Sequence, residues 1–357
     1  CASVLLGFDC AEHGLYPCGD TLVAQGATIL GCSGSTLSAS EASFFREADP
    51  FGFIVFDRNL EGHDQILHLC ESLRDCVGRD APILIDQEGG RVQRLRPPLA
   101  TQWLPPLDDV KRYGANAPRA MYLRYRIIAD ELMHLGIDAN CAPMVDIASD
   151  ETHEFLKNRC YSNDLQSVVE IGQAVAGGLI DGGVLPVLKH IPGHGRAVSD
   201  SHLDLPIVDT NDELLRQNDF AAFAALNDLP MGMTAHITYS AFDDRPATLS
   251  PKMMGLIRAD IGFDGLIMTD DITMKALAGS LAELSRLSID AGCDVVLHCN
   301  GDMGEMQEVV EASGTMNAAA IRRGEAALAT RHTPDPVDIS HLHAQLEALA
   351  NEAGNDA

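Results

Sequence analysis

Basic residues are scarce in this chain: Lys and Arg total 25 against 52 Asp and Glu, for a formal net charge of −27. A face that binds nucleic acid needs clustered Lys and Arg to meet phosphates, so the composition argues against that class of partner. The acidic surplus bears on solubility more than on a partner. Long apolar runs are missing too, none reaching the ~18 residues that a membrane span requires. The ten cysteines, scattered from Cys1 to Cys299, include no Cys-x-x-Cys pair and no small-domain framework. They read as free, mostly buried thiols of a reducing compartment. Also absent is a dinucleotide-binding glycine fingerprint, because Gly31-Cys32-Ser33-Gly34 after the first apolar run lacks the spacing.

With 46% hydrophobic and 22% charged residues, the chain can bury a large core, which excludes disorder. A length of 357 residues suits two ordinary domains or one large barrel. Short apolar runs at 27–30, 52–56, 83–86, 138–142, 185–189, 232–235, 266–269 and 294–298 predict strands. Between them, periodic segments at 41–48, 64–77, 118–135, 165–181, 212–227, 251–260 and 281–291 predict helices. Several strands are apolar on both faces, as in a parallel sheet covered by helices. Eight strand–helix units in this length predict an α/β fold, a single-domain (β/α)8 TIM barrel, with a doubly wound sheet as the alternative. Asp86, Asp146, Lys189, His190, His236 and Asp270 all fall at or just beyond the carboxyl ends of different strands, which converge on one face only in the barrel.

The densest group of chemical side chains is Lys189-His190-Ile191-Pro192-Gly193-His194-Gly195, followed by Asp200-Ser201-His202. Convergent titratable groups of this kind mark a site rather than a structural loop. Asp270 ends another apolar run, where an ionised carboxylate can act as a nucleophile, while a simple helix-capping role is open to it or to Asp271.

The Lys-His-x-Pro-Gly-His-Gly stretch and the Asp-Ser-His after it resemble the signature of the β-N-acetylglucosaminidases of glycoside hydrolase family three. Asp86-Gln87-Glu88-Gly89-Gly90-Arg91-Val92-Gln93-Arg94 is similar to that family's sugar-binding segment, Asn158-Arg159 to its barrel-loop arginine, and Met268-Thr269-Asp270-Asp271-Ile272-Thr273-Met274 to its nucleophile segment. The resemblance runs from about Ala27 and thins after about Gly304. It implies that Asp270 is the nucleophile, with Asp271 capping and orienting. His202 would be the general acid/base, supported by Asp200, and the loop from Gly193 to Ser199, with glycines at one end, is expected to swing this pair in and out of the site. Asp86, Arg94, Arg159, Lys189 and His190 would bind the sugar. Glu88 and Arg91 are expected to pair internally, and Asp146 and His236 are left outside the contact set.

The resemblance thus implies a retaining exo-β-N-acetylglucosaminidase needing neither metal nor cofactor, with a small sugar or muropeptide as its partner. By likeness to the short bacterial members, the substrate would be 1,6-anhydro-N-acetylmuramoyl peptides and the compartment the cytoplasm, although the Cys1-Ala2-Ser3 start is also what a processed lipoprotein would show. Three alternatives remain at this point: a phosphorylase on the same scaffold, a non-catalytic sugar-binding barrel, and a zinc hydrolase using His190, His194, His202 and Asp200. Pro192 and Gly193 oppose the helix that a His-x-x-x-His zinc pair needs. Residues 1–26 are expected to be an extension, and 27–357 the barrel with a C-terminal helical tail.

Overall fold

The structure is a computed structural model and describes residues 25–198 and 204–355. Eight parallel strands make one sheet: β1 (Gly26–Gly31), β2 (Pro50–Val55), β3 (Ile83–Ile85), β4 (Ala139–Asn140), β5 (Leu185–Ile191), β6 (Met231–Thr234), β7 (Leu266–Met268) and β8 (Val296–His298). All eight predicted strands are present, displaced by no more than two residues at either end. Their spatial order is β7-β6-β5-β4-β3-β2-β1-β8, so consecutive strands are neighbours and β8 returns to β1, with Thr28 opposite Val296. A parallel bridge between Met268 and Val295 joins the two remaining edges. The sheet therefore closes into a (β/α)8 barrel, and the doubly wound alternative is excluded.

Side chains alternate across each strand, and the two faces build different cores. Ala27, Ile29, Leu84, Val187, Met231 and Leu266 belong to the cluster inside the barrel. Leu30, Phe53, Ile83, Ile85, Leu188 and Ile267 belong to the larger one shared with the helices. This double burial is why the strands read as unbroken apolar runs.

The helical layer comprises α1 (Ala39–Ala48), α2 (His63–Val77), α3 (Pro106–Tyr113), α4 (Ala117–Met133), α5 (Leu165–Asp181), α6 (Leu281–Ala291), α7 (Met303–Ser313), α8 (Ala318–Leu328) and α9 (Ile339–Asn355). Helix α1 starts at a capping box, in which Glu41 N–H donates to Ser38 Oγ and Ser38 N–H to Glu41 Oε2. The predicted helices at 212–227 and 251–260 are interrupted by π-turns over Leu215–Asp219 and Ile257–Ile261. The C-terminal helix α9 packs on α3 and α4, burying Leu346 and stacking His343 on Trp103 at 6.1 Å. Every described cysteine is a free thiol, six of them buried and Cys299 half-buried. No helix among the described residues is long and apolar enough to cross a membrane.

Candidate active site

The barrel's pleat dictates which residues reach its open end. Leu84, Val187, Met268 and Leu297 point inward, so the residues two positions further on, Asp86, Lys189, Asp270 and Cys299, point the same way just past the last apolar layer. All four border one cavity of about 250 Å³ at the carboxyl ends of the strands. Arg94, Arg159 and His190 border it as well, with Phe56 and Phe155 among its apolar walls. Six of the eight residues expected in the site are thus brought together. The other two, Asp200 and His202, lie outside the described residues.

An ionic network forms the cavity floor. Lys189 Nζ lies 3.1 Å from Asp86 Oδ1 and 2.6 Å from Glu88 Oε1, and Arg94 Nη2 donates to Asp86 Oδ2 at 2.9 Å. Arg159 grips Glu88 with two nitrogens, Nη2 to Oε1 at 2.7 Å and Nε to Oε2 at 3.0 Å. Burial alone would raise both carboxyls, but Lys189 and Arg94 hold Asp86 well below the usual range, while Arg159 and Lys189 bring Glu88 down to about 2. Burial opposes the Lys189 charge in turn, and Glu88 and Asp86 overcome it. Glu88 was expected to pair with Arg91 outside the site; its partners are Arg159 and Lys189, in the floor. The sequence carried a signal for this, since Asp86 and Glu88 are two apart in an extended segment and so share a face.

A short hairpin, Gln87–Gly89 with Val92–Gln93, holds that segment over the barrel mouth. It needs glycine at Gly89, where φ is +117° and an added Cβ would fall 1.9 Å from Arg124 Nη2 and 2.6 Å from the Leu104 carbonyl oxygen. Buried Arg124 pairs with Asp109 and donates to the Glu88 carbonyl, anchoring the hairpin to α4.

Breaking a buried ion pair by removing one partner costs roughly 3–5 kcal/mol. Because the Glu88 carboxyl sits near 2 in the folded chain, below the ~4.3 of an unperturbed Glu, its contribution is complete above ~4.3 and disappears as pH falls through about 2. Denaturant midpoints of the wild type and Glu88→Gln should therefore lie well apart at pH 7 and converge as pH approaches 2. A gap that does not change with pH would mean that Glu88 contributes through packing alone.

Asp270 and Asp271 differ in their surroundings. Asp270 faces the cavity and accepts the Asp271 N–H at 2.8 Å. Against the upward push of burial, His190, His236 and that N–H draw its carboxyl below the ordinary value. The Asp271 carboxylate accepts from Thr273 N–H at 3.1 Å and Thr273 Oγ1 at 2.8 Å, closing the turn after β7, and burial pushes it up. His236 is fully buried; its Nε2 donates to the Asp271 carbonyl at 3.1 Å, and burial lowers its pKa. Two adjacent acids whose pKa values are driven apart suit different tasks.

The Lys189–Gly195 loop is fixed at its glycine end. An added Cβ at Gly195 would fall 1.8 Å from the Ile147 carbonyl oxygen, Thr152 Oγ1 donates to the Gly195 carbonyl at 2.5 Å, and Arg196 pairs with Asp219 at 2.7 Å. These contacts hold the loop as far as the buried Ala197, while the Asp200 and His202 that the swing was expected to carry lie outside the described residues. His194 lies behind His190, ring centroids 5.4 Å apart, and burial lowers its pKa to about 4. Among the described residues, no group of three or more His, Cys, Asp or Glu is placed to hold a metal ion.

Residues 36–328 match the model of the glycosyl hydrolase family 3 N-terminal domain. The chain belongs to glycosyl hydrolase family 3. It is accordingly a glycoside hydrolase, and the match reaches beyond Gly304, where the sequence motifs thin, to the end of α8. Among family 3 relatives, the β-hexosaminidase of Xylella fastidiosa (strain 9a5c) is 33% identical over 304 residues, covering 82% of this chain and 89% of that protein. The structure of NagZ from Neisseria gonorrhoeae in complex with N-trifluoroacetyl-D-glucosamine superposes with a TM-score of 0.79 at 26% identity, covering 93% of this chain and 98% of that one. The family 3 β-N-acetylglucosaminidase of Paenibacillus sp. str. FPU-7 gives a TM-score of 0.78 at 28% identity over 93% of this chain, which spans 62% of that longer protein.

Proposed function

We propose that this chain is a retaining exo-β-N-acetylglucosaminidase that releases terminal N-acetylglucosamine through a covalent glycosyl-enzyme intermediate on Asp270. The observation that carries the reading is the ionised Asp270 facing a cavity whose other polar walls are Asp86, Arg94, Arg159, Lys189 and His190. Carboxylates there accept from sugar hydroxyls and the cations donate to ring substituents, a combination suited to a polyol. A cavity of about 250 Å³ is below the ~300–1,000 Å³ of drug-sized sites and suits a single sugar ring, hence cleavage at a chain end. The Glu88 fork uses Arg159 Nε and Nη2, leaving Nη1 for the ligand's acetamido oxygen.

The relatives support the choice of sugar, being described as β-hexosaminidases and β-N-acetylglucosaminidases. His202, supported by Asp200, would donate a proton to the leaving oxygen in the first step and take one from the attacking water in the second. The substrate that this reading favours is a 1,6-anhydro-N-acetylmuramoyl peptide of cell-wall turnover, handled in the cytoplasm.

Initial rates on an aryl N-acetylglucosaminide and the matching glucoside test the reading. The first should release N-acetylglucosamine with retained β-configuration, and the second should turn over poorly. Asp86→Ala and Arg159→Ala should raise KM by roughly 10- to 100-fold, the scale of losing a charged hydrogen bond. Equal turnover of glucoside and N-acetylglucosaminide, or a glycosyl phosphate as the product in phosphate buffer, would refute it.

A further inference from the structure

One buried carboxylate at the active end is not used by this mechanism. Asp146 follows β4, is fully buried, and is not part of the cavity lining. Both its oxygens are engaged: Oδ2 lies 2.7 Å from His190 Nδ1, and Oδ1 accepts the His194 N–H at 2.6 Å and the His190 N–H at 3.4 Å. A carboxylate in its ionised form only accepts, so the hydrogen between Asp146 and His190 belongs to Nδ1. In the neutral ring Nε2 then carries a lone pair. His190 borders the cavity, and its Nε2 has no hydrogen-bond partner among the described residues.

We infer that Asp146 is a positioning residue that fixes the proton on His190 Nδ1, so that Nε2 is presented to the cavity as an acceptor and the site selects for a sugar hydroxyl at that point. The inference rests on the sugar-binding reading above. Lys189, Arg94 and Arg159 offer donors to the ring, Asp86 is a charged acceptor, and Asp270 is reserved for the anomeric carbon. A neutral acceptor held rigidly from behind adds discrimination by geometry, since a deoxy analogue leaves its lone pair unpaired in a desolvated wall.

Asp146→Asn separates this role from a structural one. The Oδ1 position faces two N–H donors, so the amide oxygen must occupy it, which turns the NH2 group toward His190 Nδ1. An NH2 group only donates, so Nδ1 must become the acceptor and the proton moves to Nε2. The variant keeps its volume and its hydrogen-bond count while inverting the atom shown to the sugar.

The test reads ring ¹⁵N shifts of the 13 histidines in the free enzyme, with the His190 signals identified by their loss in His190→Gln. The wild type should show a protonated Nδ1 and a bare Nε2, and Asp146→Asn the reverse. KM for an N-acetylglucosaminide should rise roughly 10- to 100-fold in the variant, with a smaller change in kcat. Against a series of 3-, 4- and 6-deoxy N-acetylglucosamines, the wild type should lose affinity sharply for one member, and Asp146→Asn should be indifferent to that same deletion. A protonated Nε2 in the wild type, or a variant that penalises the deoxy series as the wild type does, would overturn the inference. If Asp146→Asn does not fold, the wild-type tautomer and deoxy series decide. Failure of the wild type to bind N-acetylglucosamine would instead sink the sugar assignment, and with it the hydroxyl, while the tautomer is read without ligand.

Discussion

Asp270→Ala is expected to lose turnover by at least ~10³-fold while keeping the fold, because this carboxylate is used at the anomeric carbon and not in the core. Its side chain faces the cavity, and among the described residues its one hydrogen bond from the backbone comes from the adjacent residue. Removing it leaves the Asp86–Lys189–Glu88–Arg159 network whole, so thermal denaturation should change little. Trapping with a 2-fluoro or 5-fluoro glycosyl donor and peptide mapping should place the label on Asp270. Label on Asp271 would mean that the acid tied to Thr273 leaves its turn to react, against the geometry of both carboxyls. A folded Asp270→Ala enzyme with near-normal rates would end the mechanism.

His202→Ala should have the next largest effect, and one that depends on the leaving group. A sugar alkoxide needs a proton as it departs, whereas an activated aryl oxide leaves as a stable anion. Hydrolysis of a natural disaccharide should therefore fall by ~10²- to 10⁴-fold, the usual contribution of acid–base catalysis. With the aryl glycoside, the intermediate should still form but wait for water, giving a burst of aryl oxide followed by slow turnover. Asp200→Ala should act in the same direction through a mispositioned imidazole. Equal losses on both substrates without a burst would make His202 a binding residue and move attention to other proton donors, although His194, with burial lowering its pKa to about 4, is poorly suited to donate at neutral pH.

The barrel was legible because each strand is buried on both faces, which leaves an unbroken apolar run in the sequence. Asp86, Lys189 and Asp270 were legible as the first polar residues past those runs, and the pleat explains why they turn inward. Glu88 was misjudged because an acid three residues from an arginine suggests a local pair, whereas its partners lie 71 and 101 positions away in sequence, at Arg159 and Lys189. Asp146 was read at a strand end but left outside the contact set, because only the fold brings it behind His190. The glycines at 193 and 195 suggested a hinge, and only the fold shows that Gly195 is also required by a close approach to Ile147. Helices α7 and α8 went unassigned, being short and following the last strong motif, and α3 is hidden behind the proline-rich approach to Pro106.

The inward residues at the strand ends share a property with consequences for how this enzyme changes over time. Asp86, Lys189 and Asp270 are placed at the mouth by the register of the barrel, while Glu88 and Arg94 from the segment after β3 hold two of them by charge. Insertions in the loops between strands, away from Glu88, Arg94 and Arg159, can thus alter what lies beyond the first sugar ring, leaving the attacking oxygen where it was. Selection for a new aglycone can proceed at the rim at little risk to the chemistry, whereas a slip of a single residue in any of these three strands would turn its working side chain toward the helices.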